Sequence, residues 1–168
     1  MAKYIQNNSG ELEEVIPTVT SSGAPSANTI VQLDGSGKLD LSLFPSSLAP
    51  DQLSLPCSEA ITAGDQVNVY NVSGTGTVRK AIATSLATKA HGYALTTASS
   101  GANVQVSFDD LNNLGTALTP GEQFLSATTA GKTTTTAPST SGQVVQKVGI
   151  ASSATTLHQS YGPAIKLA

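Results

Sequence analysis

QVNVYNVSGTGTVRKAI, residues 66–82, carries the clearest structural signal in the chain. In Gln66-Val67-Asn68-Val69-Tyr70 apolar and polar side chains alternate, and a period of two places Val67 and Val69 on one face of a strand. Ser73-Gly74-Thr75-Gly76 follows, with glycines that accept the positive φ of a tight reversal. Thr77–Ile82 then returns, with Val78 between polar neighbours. Together these residues predict a β-hairpin.

Toward the C-terminus the same grammar repeats. Gly92–Leu95 and Asn103–Phe108 are predicted strands, with Val104, Val106 and Phe108 on one face of the second. Leu118–Glu122 is a turn before Gln123-Phe124-Leu125, and Thr133–Thr136 is a strand by threonine propensity. Gln143–Ala151 is predicted as one strand, with Val144, Gln146, Val148 and Ile150 on one face and Val145, Lys147 and Gly149 on the other. Thr156–Ser160 is the last. Strands recur every 8–15 residues or so, separated by Gly, Pro and Ser turns. Ala81–Ala90 comes nearest to helical spacing, and its Thr and Ser content argues against a helix. The prediction is an all-β protein whose body, about residues 55–168, is a small β-sandwich or barrel.

Toward the N-terminus the pattern thins. Residues 1–28 form an arm, in which Tyr4-Ile5-Gln6 and Leu12–Ile16 are short strands around Asn7-Asn8-Ser9-Gly10. TVTSSGAPSAN, residues 18–28, is linker composition. Residues 29–54 are the third part. Ile30, Val31 and Leu33 stand on one side of Asp34-Gly35-Ser36-Gly37, and Leu39, Leu41 and Leu43 alternate on the other, which predicts an apolar hairpin. Phe44-Pro45 ends it, because Pro45 has no N–H for a ladder. Pro45, Pro50 and Pro56 make a stiff tether, with one helical turn at most at Asp51-Gln52-Leu53. An isolated hairpin is marginal in water. Ile30, Val31, Leu33, Leu39, Leu41, Leu43 and Phe44 are therefore predicted to meet another protein or a neighbouring protomer.

Composition limits the function. Charged residues are 11% of the 168, where about 25% is usual. The net charge is −3, which gives no basic field for nucleic acid or an anionic membrane. A surface this poor in charge tends to self-associate when left uncovered, so an assembly is expected. Tryptophan is absent and aromatics are 4%, leaving the core to Val, Ile, Leu and Ala. No apolar run reaches the roughly 18 residues of a membrane span. The N-terminus, MAKYIQNNSGELEE, has no apolar stretch of the kind a secretory signal needs.

No catalytic constellation is visible. Asp34–Asp40 has the look of an EF-hand centre, but Gln32 and Leu43 occupy the positions of its anionic anchors, so a turn is expected. Gly131-Lys132-Thr133 resembles the end of a phosphate loop, yet Ser126 stands where the earlier glycine belongs. His91, His158 and the single cysteine, Cys57, are too few for a zinc site, and Cys57 is expected to be a small buried hydrophobe. No Gly-x-Ser-x-Gly occurs. Glu59, Asp65, Asp109, Asp110 and Glu122 fall mostly at turns. Neither a cofactor, a metal nor enzymatic activity is expected.

Residues 30–45, IVQLDGSGKLDLSLFP, resemble a linker of tailed-bacteriophage virion proteins. The body segments Ile61–Tyr70, Val78–Ala81, Leu118–Glu122 with Leu125–Ala127, and Val148–Ala151 before Thr155–Leu157 resemble phage capsid decoration (cement) and head-fibre proteins. The resemblance covers about residues 29–168. It implies a virion structural protein made in the host cytoplasm and seated as a homotrimer on the outer surface of the capsid. Its partner would be the major capsid protein. A tail, baseplate or head-fibre anchoring component is the alternative, and a glycan-degrading enzyme the minor one.

Overall fold

The structure, a computed structural model, describes residues 3–44, 51–109 and 111–168, with only the backbone described at Leu41. Two compact units are present, Met1–Ala49 and Pro50–Ala168. No α-helix occurs among the described residues, and the protein is all-β.

The first unit opens with β1 (Tyr4–Asn8) and β2 (Glu11–Val15), paired antiparallel from Tyr4↔Val15 to Asn8↔Glu11. Ser9 and Gly10 make the reversal at φ 54° and 99°, the pair of positive angles that a two-residue hairpin loop with right-handed twist requires. Asn7 Oδ1 accepts the Gly10 N–H at 2.8 Å and holds the loop. The predicted arm strands are thus present, one to two residues from their expected limits.

Residues 29–44 differ from expectation. The turn forms: Asp34 N–H donates to Lys38 O at 2.7 Å, and Asp34 Oδ1 accepts from the N–H groups of Ser36 and Lys38. The flanking strands do not. Val31 bridges Thr18 in parallel instead, and Leu41–Leu43 is a turn of 3-10 helix. The cause is local. Asp40 Oδ1 accepts the Ser42 N–H at 2.9 Å, and an Asp side chain that captures a backbone donor two residues on favours a helical start over a ladder. The linker-like segment beginning at Thr18 is pinned at both ends, with Thr18 N–H donating to Ile30 O and Gln32 N–H to Thr18 O.

The second unit holds two five-stranded antiparallel sheets. The first is built from β3 (Gln52–Pro56), β4 (Gln66–Val72), β5 (Thr75–Lys80), β6 (Gly92–Ala94) and β7 (Asn103–Ser107), in the order β3-β7-β6-β4-β5. Asp51–Leu53 is therefore not a helical turn: from Gln52 the chain is an edge strand, and Pro56 at its end is tolerated because an edge leaves that N–H unused. The predicted hairpin 66–82 is β4–β5, turning at Ser73 (φ 51°) and Gly74 (φ 87°). Past β3, Cys57 forms an isolated parallel bridge to Val78 of β5. The sheet curls until its edges meet at that bridge, without closing a barrel. Ile61, Val67, Val78, Ala94, Val104 and Val106 fill the curl.

The second sheet runs β10-β9-β12-β13-β8. Its members are β8 (Leu111–Asn112), β9 (Gly121–Leu125), β10 (Thr133–Thr134), β12 (Lys147–Ala151) and β13 (Leu157–Gln159). The remaining pair is β11 (Val144–Val145) with β14 (Ile165–Lys166). The expected single strand 143–151 is divided at Gln146, and a register shift between Lys147 and Gly149 reverses its facing. Val144, Gln146 and Val148, grouped on one face in the sequence, are all buried, but Ile150 turns outward and Ala151 takes its place inside. Leu125, Val148, Ala151 and Leu157 pack with Ala81, Ala83 and Ala90 as a second core. Those alanines belong to the β5–β6 connection, the segment nearest to helical spacing. It is irregular apart from one 3-10 turn, Leu86–Thr88, capped by Ser85 Oγ.

Candidate functional site

Between the two cores lies a layer of buried polar side chains, and its bonding decides whether the body offers chemistry. Asp65 is 1% exposed; Lys132 Nζ stands 2.6 Å from its Oδ1 and Lys80 Nζ 3.8 Å from its Oδ2. The Thr62 N–H donates to Oδ2 at 3.0 Å. Gln66 N–H donates to Gly131 O, and Gly131 N–H to Ala81 O. Gly131-Lys132 is therefore a joint between the sheets. Its amide is bonded within the fold and cannot cradle a phosphate.

Most of the buried amides are similarly engaged, whereas both amide atoms of Gln159 are buried without a hydrogen-bond partner among the described residues. Gln146 bonds both ends of its amide to Ala90, accepting from N at 2.8 Å and donating to O at 2.9 Å. Asn68 donates to Lys89 O and accepts from Arg79 Nε. Gln66 Oε1 accepts from the Tyr161 hydroxyl at 2.9 Å. Burial, with the Tyr93 and Asp109 charges, pushes the Tyr161 phenol well above its usual range, so it stays a donor. A polar cleft of about 280 Å³ opens beside Gln66, Asn112, Leu114 and Lys132, at the small end for ligand sites. Asn112 and Gln123 on its wall spend their amides on Gly64, Leu114, Thr119 and Thr133. The cleft's polar groups hold its own loops together.

Cys57 is buried, and its thiol lies 3.1 Å from the carbonyls of Ser99 and Ala102. Among the described residues no three His, Cys, Asp or Glu side chains are placed to share a metal ion. His158 is exposed beside Ser152. His91 is half-buried, and its Nδ1 accepts the Val69 N–H at 3.1 Å, leaving the ring proton on Nε2. Partial burial, then the positive charges of Lys89 and Arg79, hold its pKa below the ordinary value. Because the folded pKa is lowered, the unfolded chain binds the proton more readily. The stability this contributes is complete above the unfolded value, near 6.5, and is lost as pH falls through the folded pKa. The melting temperature should drop between pH 7 and pH 5. His91→Gln, whose amide oxygen can still accept from Val69, should flatten that drop; equal slopes in calorimetry would assign it to other groups.

The predicted contact residues all lie in the first unit. Ile30, Val31, Leu33, Leu39 and Phe44 are between 41% and 54% exposed, Leu43 is half-buried, and the Leu41 side chain lies outside the described residues. The structure gathers them around pinned turns rather than on one hairpin face. Beside them the sequence reading missed Ile5, Leu12 and Ile16, which are more exposed still. Their signal was the short apolar-polar alternation of the arm. Only Pro17 is buried in this unit among the described residues. The burial that ordinarily holds a folded segment together is missing here, and hydrogen bonds such as Ser21 N–H to Ser42 Oγ and Ile30 N–H to Tyr4 Oη take its place.

No family model, no curated protein and no solved structure matches this chain. Fold and site define an all-β chain that joins a body whose buried polar side chains mostly bond within the fold to a unit whose apolar side chains face outward.

Proposed function

We propose that this chain is a non-enzymatic structural component of a tailed-bacteriophage virion, a decoration protein held on the outer surface of the head. Residues 1–49 act as its attachment arm, the major capsid protein is its partner, and three copies assemble together. No cofactor is involved. The observation that carries this reading is the contrast between the units. In the body Gln66, Asn68, Gln146 and Asp65 bond within the fold, whereas the arm leaves Ile30, Val31, Leu33, Leu39 and Phe44 open. The resemblance of residues 30–45 to a phage virion linker supports it.

The energetics favour a preformed arm. Ordering a free backbone costs about 1–2 kcal/mol per residue, more than scattered apolar contacts return. The Asp34 turn, the Thr18–Val31 bridge and the Asp40 cap meet much of that cost before docking. Three arms on one trimer would share a single attachment event.

Ile30→Asp with Leu33→Asp places two charges among these contacts. Each buried aliphatic side chain is worth about 1.5–3 kcal/mol, so occupancy on purified heads should fall below detection while the body's circular dichroism is unchanged. Light scattering of the parent should give the mass of a trimer. Attachment of the double variant at the parent's level, or attachment to tails in place of heads, would overturn the reading.

A further inference from the structure

The net charge of the chain is confined to one unit. The body carries Arg79, Lys80, Lys89, Lys132, Lys147 and Lys166 against Asp51, Glu59, Asp65, Asp109, Asp110 and Glu122, and is neutral. The whole −3 therefore belongs to residues 1–49, where Lys3 and Lys38 face Glu11, Glu13, Glu14, Asp34 and Asp40.

Within that unit the β1–β2 hairpin is two-faced. Residues paired across an antiparallel ladder share a face. Ile5 with Glu14 and Leu12 with Asn7 make one face; Gln6 with Glu13 and Asn8 with Glu11 make the other, which Tyr4 with Val15 completes at the open end of the hairpin. Ile5 is 64% exposed, Leu12 75%, and Ile16, just past β2, 56%. Glu14 on the apolar face is neutralised by Lys3. Glu11 and Glu13 have no cationic partner among the described residues, so the hairpin keeps a side-chain charge of −2.

The two edges also differ. β2 carries all three glutamates, and charged side chains keep an edge strand from pairing indiscriminately. The Tyr4–Asn8 edge is uncharged, and its outer N–H and C=O groups have no backbone partner among the described residues. Such an edge can receive an added strand. A second copy is a poor occupant, since it would bring two acidic hairpins together.

We infer that the hairpin is a second docking element. It seats Ile5, Leu12 and Ile16 on an apolar patch of a partner protein whose rim carries Lys or Arg, with β1 as the pairing edge and Glu11 and Glu13 choosing a basic partner over another copy. This rests on the reading of residues 1–49 as the attachment arm and adds the chemistry of the surface they meet.

Two fluorescent peptides of strand period, one alternating leucine with lysine and the other leucine with glutamate, serve as probes for the full-length protein. The lysine peptide should bind and the glutamate peptide should not. Glu11→Gln with Glu13→Gln removes the hairpin's net charge and should weaken binding of the lysine peptide about fivefold at low salt. Ile5→Ser with Leu12→Ser should weaken it roughly 100-fold. Equal binding of the two peptides, binding of neither, or an apolar variant that binds as the parent does, overturns the inference. In parallel, attachment of the parent to purified heads should weaken as salt rises from low to high. A parent that never attaches to heads sinks the attachment reading, whereas the peptide results judge the hairpin by themselves.

Discussion

Gln146→Leu should cost the body about 4 kcal/mol, more than any single surface change. The side chain is 3% exposed and spans from the head of β12 to Ala90, which is itself 2% exposed. Its amide takes the place of a neighbouring strand, receiving the Ala90 N–H and donating to the Ala90 carbonyl. Leucine fits the volume but makes neither bond. Two buried backbone groups would be stranded, at about 1–3 kcal/mol each. The melting temperature should fall by roughly 15 °C. Gln105 is exposed on β7, so Gln105→Leu supplies the control and should stay within about 0.5 kcal/mol of the parent. If the two variants melt together, Ala90 is satisfied by something other than this amide.

The same residue marks the limit of what could be read from the sequence. Alternation located most body strands, because period two survives wherever one face meets a core, as Val104 and Val106 do. It gave the wrong environment for the other face. Gln66 and Asn68 alternate with Val67 and Val69 as if they faced water, yet both are 1% exposed. The β5–β6 connection folds across them, and their amides bond its backbone and neighbours. Polarity marks hydrogen-bonding capacity, and only the tertiary fold decides whether water or backbone supplies the partner.

The arm shows the opposite weakness. Its outward-facing apolar residues were legible, since nothing in residues 29–48 could bury them. Its geometry was not. Leu39, Leu41 and Leu43 have strand period, but Asp40 captures the Ser42 N–H and Leu41–Leu43 becomes a 3-10 turn. A side-chain bond two residues long outweighed a pattern of three, because no sheet stood there to reward the extended form. β3 escaped notice for a related reason: as an edge strand ending in Pro56 it lacks the apolar density of an inner one.

Gly149→Ala should be nearly as damaging as the loss of Gln146, and for the reason that Ile150 points outward. Gly149 sits in the middle of β12, paired with Gln159 on one side and Gln123 on the other, at the register shift that begins at Lys147. A methyl group built there would overlap the carbonyl oxygen of His158 and lie 3.2 Å from the Gln159 Cα. Both are backbone atoms of β13, so no rotamer change relieves the contact and the strands must part. Overpacking of this kind costs about 1–3 kcal/mol, and an obstruction by backbone belongs at the upper end. Ser152→Ala nearby is the control for local change. Separating β12 from β13 would also loosen Leu157 and Ala151, the two residues that carry the second core across this joint. Calorimetry should show a loss of about 10 °C for Gly149→Ala, and amide exchange should accelerate first along Lys147–Ala151 and Leu157–Gln159. Unchanged exchange in those two strands would mean that the close approach of β12 and β13 is not what requires glycine at this position.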